Sequence, residues 1–486
     1  MYQKSSPGPL FKQARPVARW LIAARVGRHV HSGVPMKSTV RFGYVREVDE
    51  YPQGLRRWWI LSMAVLATLI GSYEAQIAPV VPLLLDDLQM TLTTYGAVSA
   101  AATASGAIAA AIGGRLTDNL GRVRMLVPLM LLTALCCLAM TLVTSPRELL
   151  LARVVLAFVD GMALASTAPL VRDFSPRTGR AQAFGFWTWG PVGASLLAAG
   201  LAAWTLPIFA DSWRSQFVIM GVISLVMSIV IAFNIADLSP RLRAQMQCAG
   251  GHLAQAPDSS GKPRARDLLR HPRIWAHTIG ISLWLVLYLS LAMYGPTMLV
   301  DSFGVSAADA SAIMLAFWVF DLAVLLVVGR VSDRLQLRKP FMVGGTVLGA
   351  VAAGYLVVLM GHSTVSTTHL MITGAVLGAC LAAAYGPWMA SYSEDADDAD
   401  PRLQGTAWGI FGLASRMVAV VVLLAVPVTV AASGWQAWFG ISLLCLVLFV
   451  PAAVRFGGPW RPARRAPEAT LGSGGPATVV QTGRSR

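Results

Sequence analysis

Charge is scarce in this chain. Asp, Glu, Lys and Arg make up 13% of its 486 residues, where a soluble domain carries roughly 25%. With 55% hydrophobic residues and a mean hydropathy of +0.60, that deficit argues against a water-soluble globular protein. Cysteine is scarce as well. Four of the five (Cys136, Cys137, Cys380 and Cys445, but not Cys248) lie in apolar runs. An odd, buried set without ligand spacing sets up neither a disulfide framework nor a metal site, so the cysteines read as small apolar filler. No Walker A loop is present, which argues against a primary pump. No His/Cys cluster or Ser/His pair marks an enzyme. No metal and no cofactor is expected.

Long apolar runs dominate what is there. Twelve blocks, at 58–85, 92–114, 125–144, 149–171, 183–203, 214–236, 273–300, 306–329, 341–360, 368–392, 404–431 and 434–454, are each about long enough to cross ~30 Å of hydrocarbon as a helix. Lipid gives a free N–H or C=O no partner, and the blocks are rich in Ala, Leu and Gly, so they read as helices and not as a barrel. We number them spans 1 to 12. The net charge of +15 is spread over short loops: 35 of the 39 Lys and Arg fall on one side of the membrane if both termini share that side. The positive-inside rule makes it the cytoplasmic side of a plasma membrane. Such dispersal argues against a nucleic-acid partner.

The polar segments divide the chain: a basic tail (1–57), a six-helix bundle (58–236), a central loop (237–272), a second bundle (273–454) and a C-terminal tail (455–486) whose composition predicts disorder. The tail segment 16–27 reads as an amphipathic surface helix; a second reading starts the chain at Met36. The bundles read as repeats. Gly114-Arg-Leu-Thr-Asp-Asn-Leu-Gly-Arg-Val-Arg124 follows span 2, and Gly329 to Lys339, GRVSDRLQLRK, follows span 8. Asp173 after span 4 precedes Arg180 by seven residues, as Asp395 after span 10, beside Glu394, precedes Arg402. Parallel six-helix repeats are a transporter architecture.

These residues resemble the signature of the major facilitator superfamily. Gly114, Leu116, Asp118, Gly121, Arg122 and Arg124 match its span 2–3 loop. The second copy keeps Gly329, Asp333 and Lys339, with Arg334 between them, but has Gln336 and Leu337 where glycine and arginine are expected. Arg153 matches the span 4 arginine, although Ala157 replaces the usual glycine. Gly190, Pro191 and Gly193 form a loosened version of the span 5 pattern of antiporters, which leans towards export. The resemblance implies an all-α fold of twelve helices in two pseudo-symmetric bundles. It also implies a gate on the cytoplasmic side, with Asp118 facing the start of span 11, Asp333 facing span 5 and Arg122 pairing with Asp173. The alternative is that these charges only enforce topology. The small residues of spans 2, 5, 8 and 11 would form smooth faces where the halves meet.

Five charges lie within spans: Glu74, Arg153, Asp160, Asp321 and Arg416. Embedded charges are costly and usually functional. Arg153 and Asp160, seven apart, share a helix face. Spans 1, 4, 7 and 10 line the cavity in the family, so Glu74 would sit near them as a proton-coupling carboxylate, or as one half of a static salt bridge with Arg153. Asp321 and Arg416 are read as a pair in the second half. Tyr73, Gln76, Trp284, Tyr288, Tyr294, Tyr385 and Trp388 would line a cavity for an organic solute or serve as packing. Breaks are expected at Tyr294-Gly295-Pro296 and Tyr385-Gly386-Pro387, and 393–400 reads as a solvated acidic loop. The reading is a proton-coupled secondary transporter that moves a small organic solute, anionic if the embedded arginines bind it, as a monomer in the bilayer. An uncoupled facilitator or transporter-like sensor is the alternative, and an embedded enzyme is disfavoured.

Overall fold

The computed structural model describes residues 47–74, 76–174, 186–239, 241–242, 245, 270–362, 365–399 and 404–461. Contacts divide the chain into a unit of residues 1–43 and a unit of residues 44–486, and every described residue belongs to the second. The tail helix read at 16–27, the alternative start at Met36, Arg180 and Arg402 lie outside the described residues. So do the side chains of Glu74, Gly114 and Asp118.

The described residues of the second unit are almost entirely helical, and ten helices among them are long and apolar enough to cross a membrane. Span 1 is Gly54–Glu74, continued after a break by a 3-10 turn, Ala78–Val80, and a short helix, Val81–Asp87. Span 2 is Leu92–Leu120, span 3 Arg122–Ala139, and span 4 Pro146–Leu164 with a further segment Thr167–Asp173. Span 5 is described over Trp189–Thr205, 17 residues, and span 6 is Trp213–Asn234. Spans 7 to 10 are Pro272–Phe303, Ala307–Leu335, Lys339–Leu359 and Thr367–Ala399. Gln404–Arg455 carries the last two apolar blocks and is interrupted at Gly434, whose φ of 79° only glycine adopts readily. We call its two arms spans 11 and 12.

Local chemistry repeats between the halves. Thr91 caps span 2 by accepting from the Thr94 N–H at 3.2 Å, and Ser306 caps span 8 by accepting from Asp309 N–H at 3.0 Å. At the end of span 1, Asp87 accepts from the Trp213 indole of span 6 at 2.9 Å; at the end of span 7, Asp301 accepts from the Trp435 indole of span 12 at 3.0 Å. Gly161 of span 4 packs on the Gly106 carbonyl of span 2, and Gly378 of span 10 on the Phe317 carbonyl of span 8; an added Cβ would lie 2.4 and 2.3 Å away.

Several expectations are corrected. The signature loop is not a loop: span 2 runs to Leu120 and span 3 begins at Arg122, so Gly121, at φ 96°, makes the whole turn. Spans 7 and 10 continue through Pro296 and Pro387, because helices packed in a bundle tolerate proline where neighbours satisfy the freed carbonyls. Span 10 also absorbs the acidic segment, remaining helical to Ala399. The small-residue faces serve packing inside the first half as well as contact across the halves, where Gly200 of span 5 meets Leu315 of span 8. Gly106 and Gly113 meet span 4, and Gly190 and Gly193 meet Thr68 and Leu69 of span 1.

The halves touch on the side opposite the basic segments. There the end of span 1 meets span 7, span 5 meets span 8, and span 2 meets span 11. The tightest point is Gly96 of span 2, where an added Cβ would lie 2.3 Å from the Leu423 carbonyl and 2.8 Å from Pro427 of span 11. On the basic side, a Cβ on Gly409 of span 11 or Gly329 of span 8 would meet nothing within 4 Å. Ile108 and Ile112 of span 2 and Leu413 and Met417 of span 11 are exposed there. Among the described residues, the halves meet on the one side and leave these positions uncovered on the other.

Candidate functional site

Span 4 places two charges inside the first half. Arg153 and Asp160 lie on one helix face and each is 9% exposed. Seven residues separate them by about 10 Å along the axis, and no ion pair joins them. Arg153 Nε and Asp160 Oδ1 are buried without a hydrogen-bond partner among the described residues. The electrostatic neighbours of the Arg153 guanidinium are Tyr95 of span 2, Cys137 of span 3 and Asp160. Asp160 packs on the backbone of span 1: a Cβ at Gly71 would lie 2.9 Å from its Oδ1. Glu74 is one turn beyond Gly71 on the same helix. Burying a charge is expensive unless its polar atoms are matched.

Tyr73 and Gln76 lie elsewhere. They line a small pocket with Ala198 and Ala202 of span 5 and Gln216 and Phe217 of span 6. Two residues advance a helix by about 200°, which turns Tyr73 away from the face Gly71 gives to Asp160.

The second half presents rings. Tyr288 and Trp284 of span 7, then Tyr385, Trp388 and Tyr392 of span 10, stack in that order. Their centroids are 5.0, 5.3, 5.7 and 5.4 Å apart and successive planes lie within 24° of parallel. Asp321 of span 8 stands at one end, 3% exposed, with the Tyr288 hydroxyl 3.5 Å from it. The indole nitrogens of Trp284 and Trp388 are buried without partners among the described residues. Arg416 does not pair with Asp321. It is exposed, and its nearest hydrogen bond, at 3.5 Å, goes to the Gly412 carbonyl of its own helix. Tyr294 is not a cavity residue either. Its hydroxyl donates to the Leu423 carbonyl at 2.9 Å and its ring meets Tyr95 edge-on at 6.0 Å, so it belongs to the closed seam between the halves.

On the basic side, Arg122 pairs with Asp173, as the resemblance implied, and donates to the Pro169 carbonyl at 3.2 Å. The second copy retains this device one residue later. Gln336 takes the left-handed turn, φ 53°, and Arg338 pairs with Glu394 at 2.9 Å and Asp333 at 2.6 Å. Burial alone would lower the Arg338 pKa; its hydrogen bonds to Glu394 and Asp333 outweigh that and raise it. Arg334 is exposed, Arg124 stands 3.7 Å from Glu47, and Lys339 lies over the Trp460 ring at 5.7 Å.

Sequence reasoning missed three participants. Arg338 was hidden by its one-residue shift. Asp237 accepts from the Arg122 and Val123 backbone N–H groups at 3.0 and 3.4 Å, capping span 3. It belongs to a two-residue strand β2 (Asp237–Leu238), which pairs in parallel with β1 (Glu47–Val48). His277 of span 7, fully buried, bonds Asp395 at 2.8 Å and stacks on Phe456, fastening the basic ends of spans 7, 10 and 12. A histidine inside an apolar run was the available signal. Among the described residues no group of three His, Cys, Asp or Glu could hold a metal.

Among known proteins, the chain is similar to the gallate transporter of Pseudomonas putida, 24% identical over 363 residues, or 69% of this chain and 78% of that protein. It is 27% identical over 171 residues to the galacturonate transporter of Dickeya chrysanthemi, 35% of this chain and 49% of that one. It is 24% identical over 171 residues to the hexuronate transporter of Escherichia coli K12, covering 39% of it. The latter two alignments span half or less of those relatives. In fold it is similar to a bacterial homologue of the human lysosomal transporter Spinster in an inward-facing, unoccupied conformation, with a TM-score of 0.64 at 14% identity, over 83% of this chain and 98% of that one. The D-xylose–proton symporter gives a TM-score of 0.62 at 16% identity, over 82% and 97%. Both are likenesses of fold. The model of the Major Facilitator Superfamily matches residues 60–421 and again 299–483, and with the repeated bundles and the signature turn at Gly121 this places the chain in that superfamily of membrane transporters.

Proposed function

We propose that the protein is a proton-coupled secondary transporter of small organic carboxylates, working by alternating access. The observation that carries this reading is the pair of buried charges on span 4, whose Arg153 Nε and Asp160 Oδ1 have no hydrogen-bond partner among the described residues. The planar fork of Arg153 matches a carboxylate, and a solute anion would give its buried Nε a partner. The relatives named for gallate, galacturonate and hexuronate share that chemistry, since each of these solutes carries a carboxylate. Asp160 packs on the backbone of span 1 at Gly71, and a proton carried by it or by Glu74 would keep the net charge of the loaded site low.

The gap on the basic side, which we assign to the cytoplasm of a plasma-membrane protein by the positive-inside rule, is the route by which solute reaches or leaves the site. Closing it requires the halves to rock about the opposite seam, with the Arg122–Asp173 and Arg338–Glu394 pairs fixing the helix ends that meet. The test is substrate-linked proton movement. Proteoliposomes in weak buffer are given gallate or galacturonate, and the external pH is followed. Uptake by symport alkalinises the medium and antiport acidifies it. Glu74→Gln should abolish ΔpH-driven accumulation while leaving solute exchange. Transport of either acid with no proton movement would establish an uncoupled facilitator instead.

A further inference from the structure

Spans 9 and 12 lie side by side in the second half, where a Cβ on Gly354 would sit 3.6 Å from Leu443. A groove of about 520 Å³ runs between them, within the ~300–1,000 Å³ of small-molecule sites. Val347 and Val351 of span 9 wall it on one side, and Leu443, Val447 and Pro451 of span 12 on the other. Val347, Val351 and Val447 are exposed, and span 9 packs on spans 10 and 12 of its own half, so this face looks into lipid. We propose that the groove binds one anionic phospholipid of the basic-side leaflet, with an acyl chain between the two helices and the phosphate against Lys339, Arg455 and Arg461.

Depth and charge agree on this occupant. Val347 and Val351 lie 8 and 12 residues beyond Lys339, and Pro451 and Leu443 lie 4 and 12 residues before Arg455. At a rise of 1.5 Å per residue, the groove runs from roughly 6 to roughly 18 Å below the basic ends of both helices. One leaflet of a ~30 Å hydrocarbon core has that depth. At its mouth stands a cationic rim. Lys339 opens span 9 and Arg455 closes span 12. The chain beyond Arg455 returns over span 9, setting the Trp460 ring 5.7 Å from the Lys339 ammonium with Arg461 next to it. Trp460 is exposed at the level where tryptophan rings sit among lipid head groups. The neighbouring carboxylates are engaged elsewhere: Asp333 and Glu394 by Arg338, and Asp395 by His277. Among the described residues no ion pair joins a carboxylate to Lys339, Arg455 or Arg461. Basic side chains beside a groove at acyl depth fit an anionic head group; a zwitterionic one brings its own cation to the same place.

The experiment titrates the purified full-length protein with phosphatidylglycerol and with phosphatidylcholine of the same acyl chains. Native mass spectrometry reads the dissociation constant of the first lipid bound and the oligomeric state. Each basic residue near an anionic surface is worth about fivefold, so wild type should hold phosphatidylglycerol at least tenfold more tightly. Lys339→Gln/Arg455→Gln/Arg461→Gln should bring it to the level of phosphatidylcholine. Arg56→Gln/Arg57→Gln/Arg241→Gln removes equal charge from the basic side of the first half and should stay within about twofold of wild type. Val347→Trp fills the groove from an exposed position and should weaken both lipids at least fivefold; Val447→Phe fills it from the other wall and serves if the first variant is poorly folded. Equal binding of the two lipids by wild type, or an equal loss in the first-half variant, would reduce the effect to general attraction and overturn the site. Unchanged binding in the filled variants would remove the groove. A wild-type dimer that Val347→Trp dissociates would give this face to a second copy and overturn the lipid.

Discussion

At the scale of single residues, the protein concentrates its cost at Arg153. A charged group within a span costs at least ~2.5 kcal/mol to insert, and among the described residues nothing accepts from its buried Nε. A hydrogen bond to a charged group contributes about 1.5–3 kcal/mol. We therefore expect Arg153→Lys, which keeps the charge and loses the fork, to raise the half-saturating concentration of a transported carboxylate about tenfold, measured by uptake into proteoliposomes. A different economy governs Asp237, which is buried and fully used as a cap. Asp237→Ala should cost about 1–2 kcal/mol, the range of lost helix caps, seen as a lower thermal midpoint without loss of binding. Arg153 was legible in the sequence because a charge among apolar residues announces itself. Asp237 was not, because an aspartate just beyond a span looks like any other loop charge until β1 and β2 bring it against Gly121.

At the scale of elements, the spans were legible almost throughout, since lipid forces apolar length and backbone closure together. Their interruptions were not. Proline suggested breaks in spans 7 and 10 where the helices run on, and the actual breaks fall in span 1 after Glu74 and in span 4 at Ala165-Ser166, a few residues before Pro79 and Pro169. Neighbouring helices decide such matters, and a sequence does not show its neighbours. The same holds for the small residues: periodicity marks a smooth face but not the helix it meets. Gly96 is the instructive case. Its contact with Leu423 and Pro427 allows spans 2 and 11 to seal the side opposite the basic segments, with Tyr95 and Tyr294 beside them. Gly96→Val cannot fit there without separating the halves. It should fold, shift cysteine labelling at the seam from protected to accessible, and slow transport at least tenfold. Unchanged labelling and rate would show that the seam does not need to close at this point.

At the scale of the whole molecule, two bundles with matched caps, matched Asp–Trp clasps and matched Arg–carboxylate pairs form a symmetric frame around unlike contents. The first half holds the buried Arg153 and Asp160 and the second holds the stacked rings. A symmetric frame suits rocking between two states of similar energy, which a ligand biases by its differential affinity. The account turns on whether Arg153 exists for the solute or for Asp160. A buried pair that serves structure alone is often replaceable by apolar residues. The direct measurement is uptake of gallate and galacturonate into proteoliposomes by the double variant Arg153→Met/Asp160→Leu, after its thermal midpoint has been matched to wild type. The account predicts a folded protein that transports neither acid. Transport at the wild-type rate would contradict it and take Arg153 out of the site.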